Sequence, residues 1–263
     1  MALRFTILGC GTSSGVPRIG PDWGACDPAN PKNRRTRVSL LVESDTTRLL
    51  VDTSPDLREQ LIAAGQSWLD AVLWTHDHAD HSHGIDDLRQ VFHHKRRVSK
   101  RSDPILGYAR AQTLSLLQQR FSYAFAGGDG YAPIVGGHAL EGDNLRIGDI
   151  DIAFTDMPHG SIWSTGFRFT HEGRSVGYAT DFHDVTSDMI ALFSGVDVWI
   201  VDALRREPHP THSHLDQTLA AIEQVAPGRA YLTHMDQSMD YEQLCAILPD
   251  SVQPAYDGLQ EAV

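Results

Sequence analysis

Short apolar runs, each closed by a polar or glycine-bearing break, recur along the whole chain. Residues 3–10 alternate and are rich in β-formers, which predicts a first strand. A glycine-bounded loop follows at 11–17. The Pro-, Asn- and Arg-rich stretch 20–37 then predicts an irregular excursion. Residues 38–43 and 48–51 read as a hairpin whose second strand ends at Asp52, and Pro55 opens a helix that Gly65 stops. The apolar run 70–74 predicts a buried strand. Further strands are expected at 105–108, 145–154, 163–170, 175–179, 196–201 and 230–233, with an edge strand at 252–256. Helical periodicity marks 109–119, 215–225 and 241–248. Strands and helices follow in the same order twice. Two similar αβ halves packed sheet on sheet, with helices outside, are therefore expected: a four-layer α/β sandwich (αββα). At 263 residues and 41% hydrophobic side chains the chain can bury one such core, so 1–263 is read as a single domain.

Several of the predicted strands end in a side chain that binds metals. The densest case is Thr75-His76-Asp77-His78-Ala79-Asp80-His81, directly after the run 70–74. A regular strand sends alternate side chains to opposite faces, so these groups can share one point only where the backbone turns. Imidazole nitrogen and carboxylate oxygen suit Zn²⁺, Mn²⁺ and Fe²⁺. His159, Asp181 and His234 each follow a strand in the same way. Asp52 is the acidic group expected to fix the tautomer of a ligand histidine from behind.

The pattern His-x-His-x-Asp-His, the opening Leu-Gly-Cys-Gly-Thr-Ser-Ser-Gly-Val-Pro and the closing Thr-His-Met resemble the metallo-β-lactamase fold superfamily over most of the chain. Within it, the 11–17 loop, Asp80-His81, Asp181 and Pro210-Thr211-His212 are similar to the phosphodiesterase branch. That branch includes the cyclic-phosphate phosphodiesterase of the carbon–phosphorus lyase pathway and, more distantly, ribonuclease Z. The resemblance implies an αββα sandwich with the metal site at one edge of its two sheets. It implies two divalent metal ions, Zn or Mn, with His76, His78 and His159 on one, Asp80, His81 and His234 on the other, and Asp181 bridging. It also implies hydrolysis of a small phosphodiester, such as a nucleoside cyclic phosphate, by a metal-bridged hydroxide. Asp80 and His212 are then the catalytic residues, with His212 serving the leaving oxygen and His214 the second choice. The alternatives are a ribonuclease Z-like tRNA 3′-processing endonuclease, a thioester or lactam hydrolase, and a nucleotide-binding metal protein without turnover. His83, His138, His171, His183 and His209 are expected at the surface or around the site.

Charge narrows the partners. A formal net charge of −12 disfavours long nucleic acid as an obligate partner, because phosphate backbones need a basic footprint. A small phosphodiester or nucleotide is expected instead, and a homodimer is left open. One basic run, His93 to Arg97 and on to Lys100-Arg101, reads first as a solvated loop and second as an anion or substrate patch. The aromatic, glycine-rich segment 121–131 reads equally as a substrate flap or a plain loop. Three scattered cysteines and no apolar run of membrane-spanning length point to a reducing cytoplasm and no membrane. The resembling phosphodiesterases carry a structural zinc on a Cys-x-Cys-x-x-Cys stretch and a later histidine. Here Pro21, Trp23 and Gln237 stand at three of those positions and only Cys26 remains. No third zinc is expected, and Trp23 packing with proline stiffness should hold the excursion.

Overall fold

The computed structural model describes residues 2–100, 102–128 and 130–263, so Arg101 of the basic run and Asp129 of the glycine-rich segment lie outside the described residues. The first half runs β1 (Arg4–Gly9), β2 (Ser39–Glu43), β3 (Arg48–Val51), α1 (Leu57–Ala63), β4 (Ala71–Leu73), α2 (Ala79–Ser82), α3 (Leu88–Ser99), β5 (Ile105–Ala109), α4 (Ala111–Arg120), α5 (Ser122–Ala126) and β6 (Val135–Ala139). The second half runs β7 (Asn144–Ile147), β8 (Ile150–His159), β9 (Ile162–His171), β10 (Arg174–Ala179), α6 (Ser187–Phe193), β11 (Val198–Asp202), α7 (Leu215–Val225), β12 (Arg229–Thr233), α8 (Tyr241–Cys245) and β13 (Val252–Pro254). A final strand, β14 (Leu259–Ala262), returns to the first sheet.

Two seven-stranded sheets result, ordered β14-β1-β2-β3-β4-β5-β6 and β13-β12-β11-β10-β9-β8-β7. The period of two in each strand explains why they stack. Leu40, Val42, Leu49, Val51 and Leu73 face the core between the sheets, against Phe154, Phe167, Phe169 and Tyr178. Their alternates Leu41, Leu50 and Val72 face a second core under the helices, with Leu57, Leu88, Phe92 and Leu117. Strands covered on both faces read as continuous apolar runs, and this arrangement is the expected αββα sandwich.

The structure adds elements that the pattern hides, among them α5 inside the segment expected to be a flap or a plain loop. β6 carries Gly136-Gly137, which lack apolar side chains to mark a strand. α6 is opened by Thr186, whose hydroxyl accepts from the Met189 N–H at 3.2 Å. β14 alternates at a sheet edge. One expectation is corrected. The basic run from His93 to Arg97 is not a loop but the exposed side of α3, because Leu88, Val91 and Phe92 give that helix a buried stripe. Among the described residues no helix is long and apolar enough to cross a membrane.

What positions the site is strand direction. β3 pairs parallel with β4, and β10, β11 and β12 pair parallel with one another. Their carboxyl ends therefore emerge at one edge. The Thr165 N–H donates to the Thr75 carbonyl at 2.9 Å and ties the two sheets together there.

Candidate metal centre

Six strand ends converge at that edge. Asp52 follows β3, His76 and His78 follow β4, His159 closes β8, Asp181 follows β10, Asp202 closes β11 and His234 follows β12. Asp52, Asp181 and His234 share a backbone trait: φ is 62°, 63° and 59°, the left-handed region that non-glycine residues avoid. Such strain persists where surrounding structure over-determines it, and it clusters at functional sites. Asp80 and His81 sit on the short helix α2 rather than on the loop expected for them. Gly84 lets α2 pack closely, because a Cβ there would meet the Ser54 carbonyl oxygen at 1.9 Å.

All seven expected ligands come together. His76, His78 and His159 form one group with ligand atoms within 4.8 Å of one another, and Asp80, His81 and His234 form another. Asp181 lies between them. Its Oδ1 is 3.9 Å from His76 Nε2 and 3.6 Å from His159 Nε2; its Oδ2 is 3.2 Å from His81 Nε2 and 3.6 Å from His234 Nε2.

The groups behind these atoms decide which nitrogens face inward. His81 Nδ1 bonds Asp52 Oδ2 at 2.7 Å, as Asp52 was expected to do. Asp52 is itself held by the Thr75 N–H and hydroxyl, at 2.8 and 2.9 Å. His76 Nδ1 is 3.0 Å from Thr75 Oγ1, and His159 Nδ1 is 2.7 Å from the Thr211 carbonyl. Each imidazole thus turns Nε2 to the centre. His76 Nε2 and His81 Nε2 are buried with no hydrogen-bond partner among the described residues, and His234 turns its Nε2 toward Asp80 and Asp181. Buried polar atoms are otherwise paired, so a divalent cation fits this donor set.

Electrostatics agree. Burial opposes charge on His81, but Asp181, Asp80 and Asp52 outweigh it and hold the imidazole well above its ordinary pKa. The same balance raises His234 to about 9, chiefly through Asp181. Burial, then the neighbouring His81 charge, pushes His76 well below its ordinary value. The carboxylates therefore draw positive charge into a buried space, while His76 keeps a neutral nitrogen free to ligate.

Two residues join the site without having been assigned to it. Asp202 Oδ2 accepts from the Asp181 N–H at 3.0 Å and bonds His212 Nδ1 at 3.1 Å. Its signal was present in sequence, an aspartate closing an apolar strand like Asp52 and Asp181. Arg120 is the other. It donates from Nη1 to the Asp77 carbonyl and from Nη2 to Asp77 Oδ2 at 2.9 Å, clamping the metal loop from α4. No local pattern announces it.

His212 stacks on His234 with ring centres 4.8 Å apart, at the mouth of a cavity of about 200 Å³. Ser13, Gly160 and Ile162 complete that mouth. The 11–17 loop is a structural turn, since its N–H groups already donate to Thr36, Met235, Thr12 and Arg35 carbonyls. His214 caps α7. His83 packs on Phe121, His138 on Tyr108 and His209 on His212, while His183 accepts from the Gly160 N–H. His171 is buried away from the centre against the Asp149 carbonyl.

A family described as "Beta-lactamase superfamily domain" matches residues 47–235, well over half of the chain. The chain belongs to this superfamily. A solved structure described as a new diphosphatase from the PhnP family has a TM-score of 0.91 and 33% sequence identity to it, covering 100% of this chain and 98% of that one. Zinc-bound PqqB from Methylobacterium extorquens shares the fold, with TM-score 0.80, 18% identity and coverage of 99% and 100%. Among curated proteins, the octanoyltransferase of Porphyromonas gingivalis is 29% identical over 270 residues, 99% of this chain and 52% of that protein. Ribonuclease Z of a Bradyrhizobium species is 28% identical over 178 residues, 65% of this chain and 51% of that protein. The chain spans about half the length of these curated relatives. The matches agree with the phosphodiesterase branch of the metallo-β-lactamase fold that the motifs resemble.

Proposed function

We propose that this superfamily member is a binuclear metal-dependent phosphodiesterase acting on a small phosphodiester such as a nucleoside cyclic phosphate. The observation that carries the reading is Asp181, with one carboxylate oxygen toward His76 and His159 and the other toward His81 and His234. A carboxylate so placed would give one oxygen to each of two ions. His76, His78 and His159 would hold one, and Asp80, His81 and His234 the other. Two bound divalent ions supply positive charge against phosphoryl oxygens and acidify water.

The chain's own residues do the rest. Asp52 and Thr75 hold His81 and His76 in one orientation, which preorganises the ligands. Asp202 occupies His212 Nδ1, so Nε2 is the atom left to give a proton to the leaving oxygen. Ser13 lines the mouth, and a cavity of about 200 Å³ suits a small reacting group. The names of two relatives, a diphosphatase and a ribonuclease, support a phosphoryl substrate over a thioester or a lactam. The octanoyltransferase name is carried by a protein of which this chain matches half.

The test is a turnover panel on metal-reconstituted protein. Bis-p-nitrophenyl phosphate and 2′,3′-cyclic nucleotides should be cleaved, and precursor tRNA, a thioester and a β-lactam left largely intact. Site-specific removal of a tRNA 3′ trailer at physiological salt would replace this reading with the ribonuclease Z one. Turnover of the thioester or the lactam alone would end the phosphoryl assignment.

A further inference from the structure

The strongest unexplained feature is a basic, aromatic groove away from the ligand set. Residues 89–101 hold six of the chain's 22 Lys and Arg and no acid, in a chain of net charge −12. Arg89, His93 and Arg96 recur at helical spacing, so they share one face of α3. That face lines a cavity of about 270 Å³ whose far wall carries Tyr123 and Tyr131. The tyrosines are 44% and 71% exposed. Asp86 organises the near end, bonding Arg89 at 2.7 Å and also the Tyr123 hydroxyl. Arg96 lies over the Phe92 ring at 5.7 Å, and among the described residues it has no carboxylate partner.

Cations alone would bind any anion. Cations beside exposed aromatic faces bind a phosphate and a ring together, which is how proteins hold unpaired nucleotides: bases stack on rings while basic groups track the phosphates. We propose that the groove between α3 and the 121–134 segment is a binding site for a nucleoside phosphate, with the base on Tyr123 and Tyr131 and the phosphate on Arg96 and Arg89. The ligand is either a free nucleotide or one unit of a single strand. The site stands on its own residues and needs neither metal ion.

Photolabelling of the metal-loaded protein with 8-azidoadenosine monophosphate, followed by peptide mapping, tests it directly. Label should fall on peptides of α3 or the 121–134 segment. Arg96→Glu should cut that label about tenfold, whereas Arg97→Glu, the same charge change at a neighbour that lines a different cavity, should leave it intact. Tyr131→Ala should weaken it too, because stacking on one ring is worth ~1–3 kcal/mol per base. Competitors sort the source. AMP displacing the label as well as pentaadenylate does means a free nucleotide; pentaadenylate winning by tenfold or more means a strand. Three results overturn the proposal: label confined to the peptides bearing the metal ligands, equal loss in both arginine variants, or ribose 5-phosphate competing as well as AMP. None depends on catalytic turnover, so failure here and failure of the phosphodiesterase reading are separate outcomes.

Discussion

Two buried polar clusters meet the chain on either side of one short stretch, and they are built on opposite terms. At the candidate metal centre, His76 Nε2, His81 Nε2 and Asp202 Oδ1 are buried without a partner among the described residues. Under the backbone that follows His234, Arg35 is buried just as deeply, yet its terminal nitrogens are well supplied. They donate to the Asp236 and Met239 carbonyls at 3.3 and 2.6 Å, to Asn33 Oδ1 at 3.4 Å and to the Cys26 sulfur at 3.8 Å, and only Nε is left over. Asn33 in turn donates to Asp240 Oδ2 at 2.7 Å and accepts from the Tyr241 N–H at 2.8 Å. Burying polar groups costs free energy unless they are paired. The Arg35 cluster pairs all but one of its guanidinium nitrogens with protein atoms. The histidine cluster gathers its unpaired ring nitrogens around one carboxylate, Asp181, and a divalent cation fits that arrangement.

Stripping the ligands should hit one cluster and spare the other. His76→Ala should lower metal content and take bis-p-nitrophenyl phosphate turnover to background while the circular dichroism spectrum stays native. Undiminished turnover in the metal-replete variant would break the assignment. Next in size, His212→Ala should lower kcat by ~10²–10⁴-fold with metal content unchanged. Asp202→Asn should follow it with a smaller loss. The deficit should shrink for the good leaving group p-nitrophenolate, and loss of an ion on His212→Ala would make that residue a ligand instead. The converse experiment is Arg35→Met. It orphans the buried Met239 carbonyl and should cost about 1–3 kcal/mol in denaturant unfolding while sparing metal content. A Tm within a degree of the parent would show that the network is ornamental. Asp52→Asn probes the support behind His81 and should weaken metal binding ~10–100-fold, read by competition with a chelator. Smallest is Cys26→Ser: because Arg35 has other acceptors, the change should stay within about 1 kcal/mol and leave metal stoichiometry as it was. An ion lost on that substitution would revive a zinc in the excursion.

The excursion shows where reading the sequence stopped short. Trp23 and the prolines were expected to hold it, but Trp23 is only half-buried and the fastening is the Arg35–Asn33–Asp240 network. Nothing local marks Arg35 as buried, since an arginine among prolines and asparagines looks solvated until the 235–241 turn closes over it. The His-rich loop was legible for the opposite reason. Four ligand side chains within six residues, after an apolar strand, have few other uses. Asp52, Asp181 and His234 were legible as strand-ending polar residues, yet their left-handed backbone was not, and neither was the part played by Asp202.

By itself, then, the sequence determined the strand periods, the order of the two sheets and the candidate ligand positions, because each depends on neighbours a few residues apart. Periodicity sorts Leu40 and Val42 from Leu41 without knowing what lies opposite. The tertiary structure alone decided the meetings between distant segments: Asp181 between two groups of ligands, Asp202 behind His212, Arg120 on Asp77 and Tyr131 across from Arg96. Those contacts depend on which strand ends share an edge and how the helices lie over them. That is settled by packing of the whole core, and no window of adjacent residues contains it.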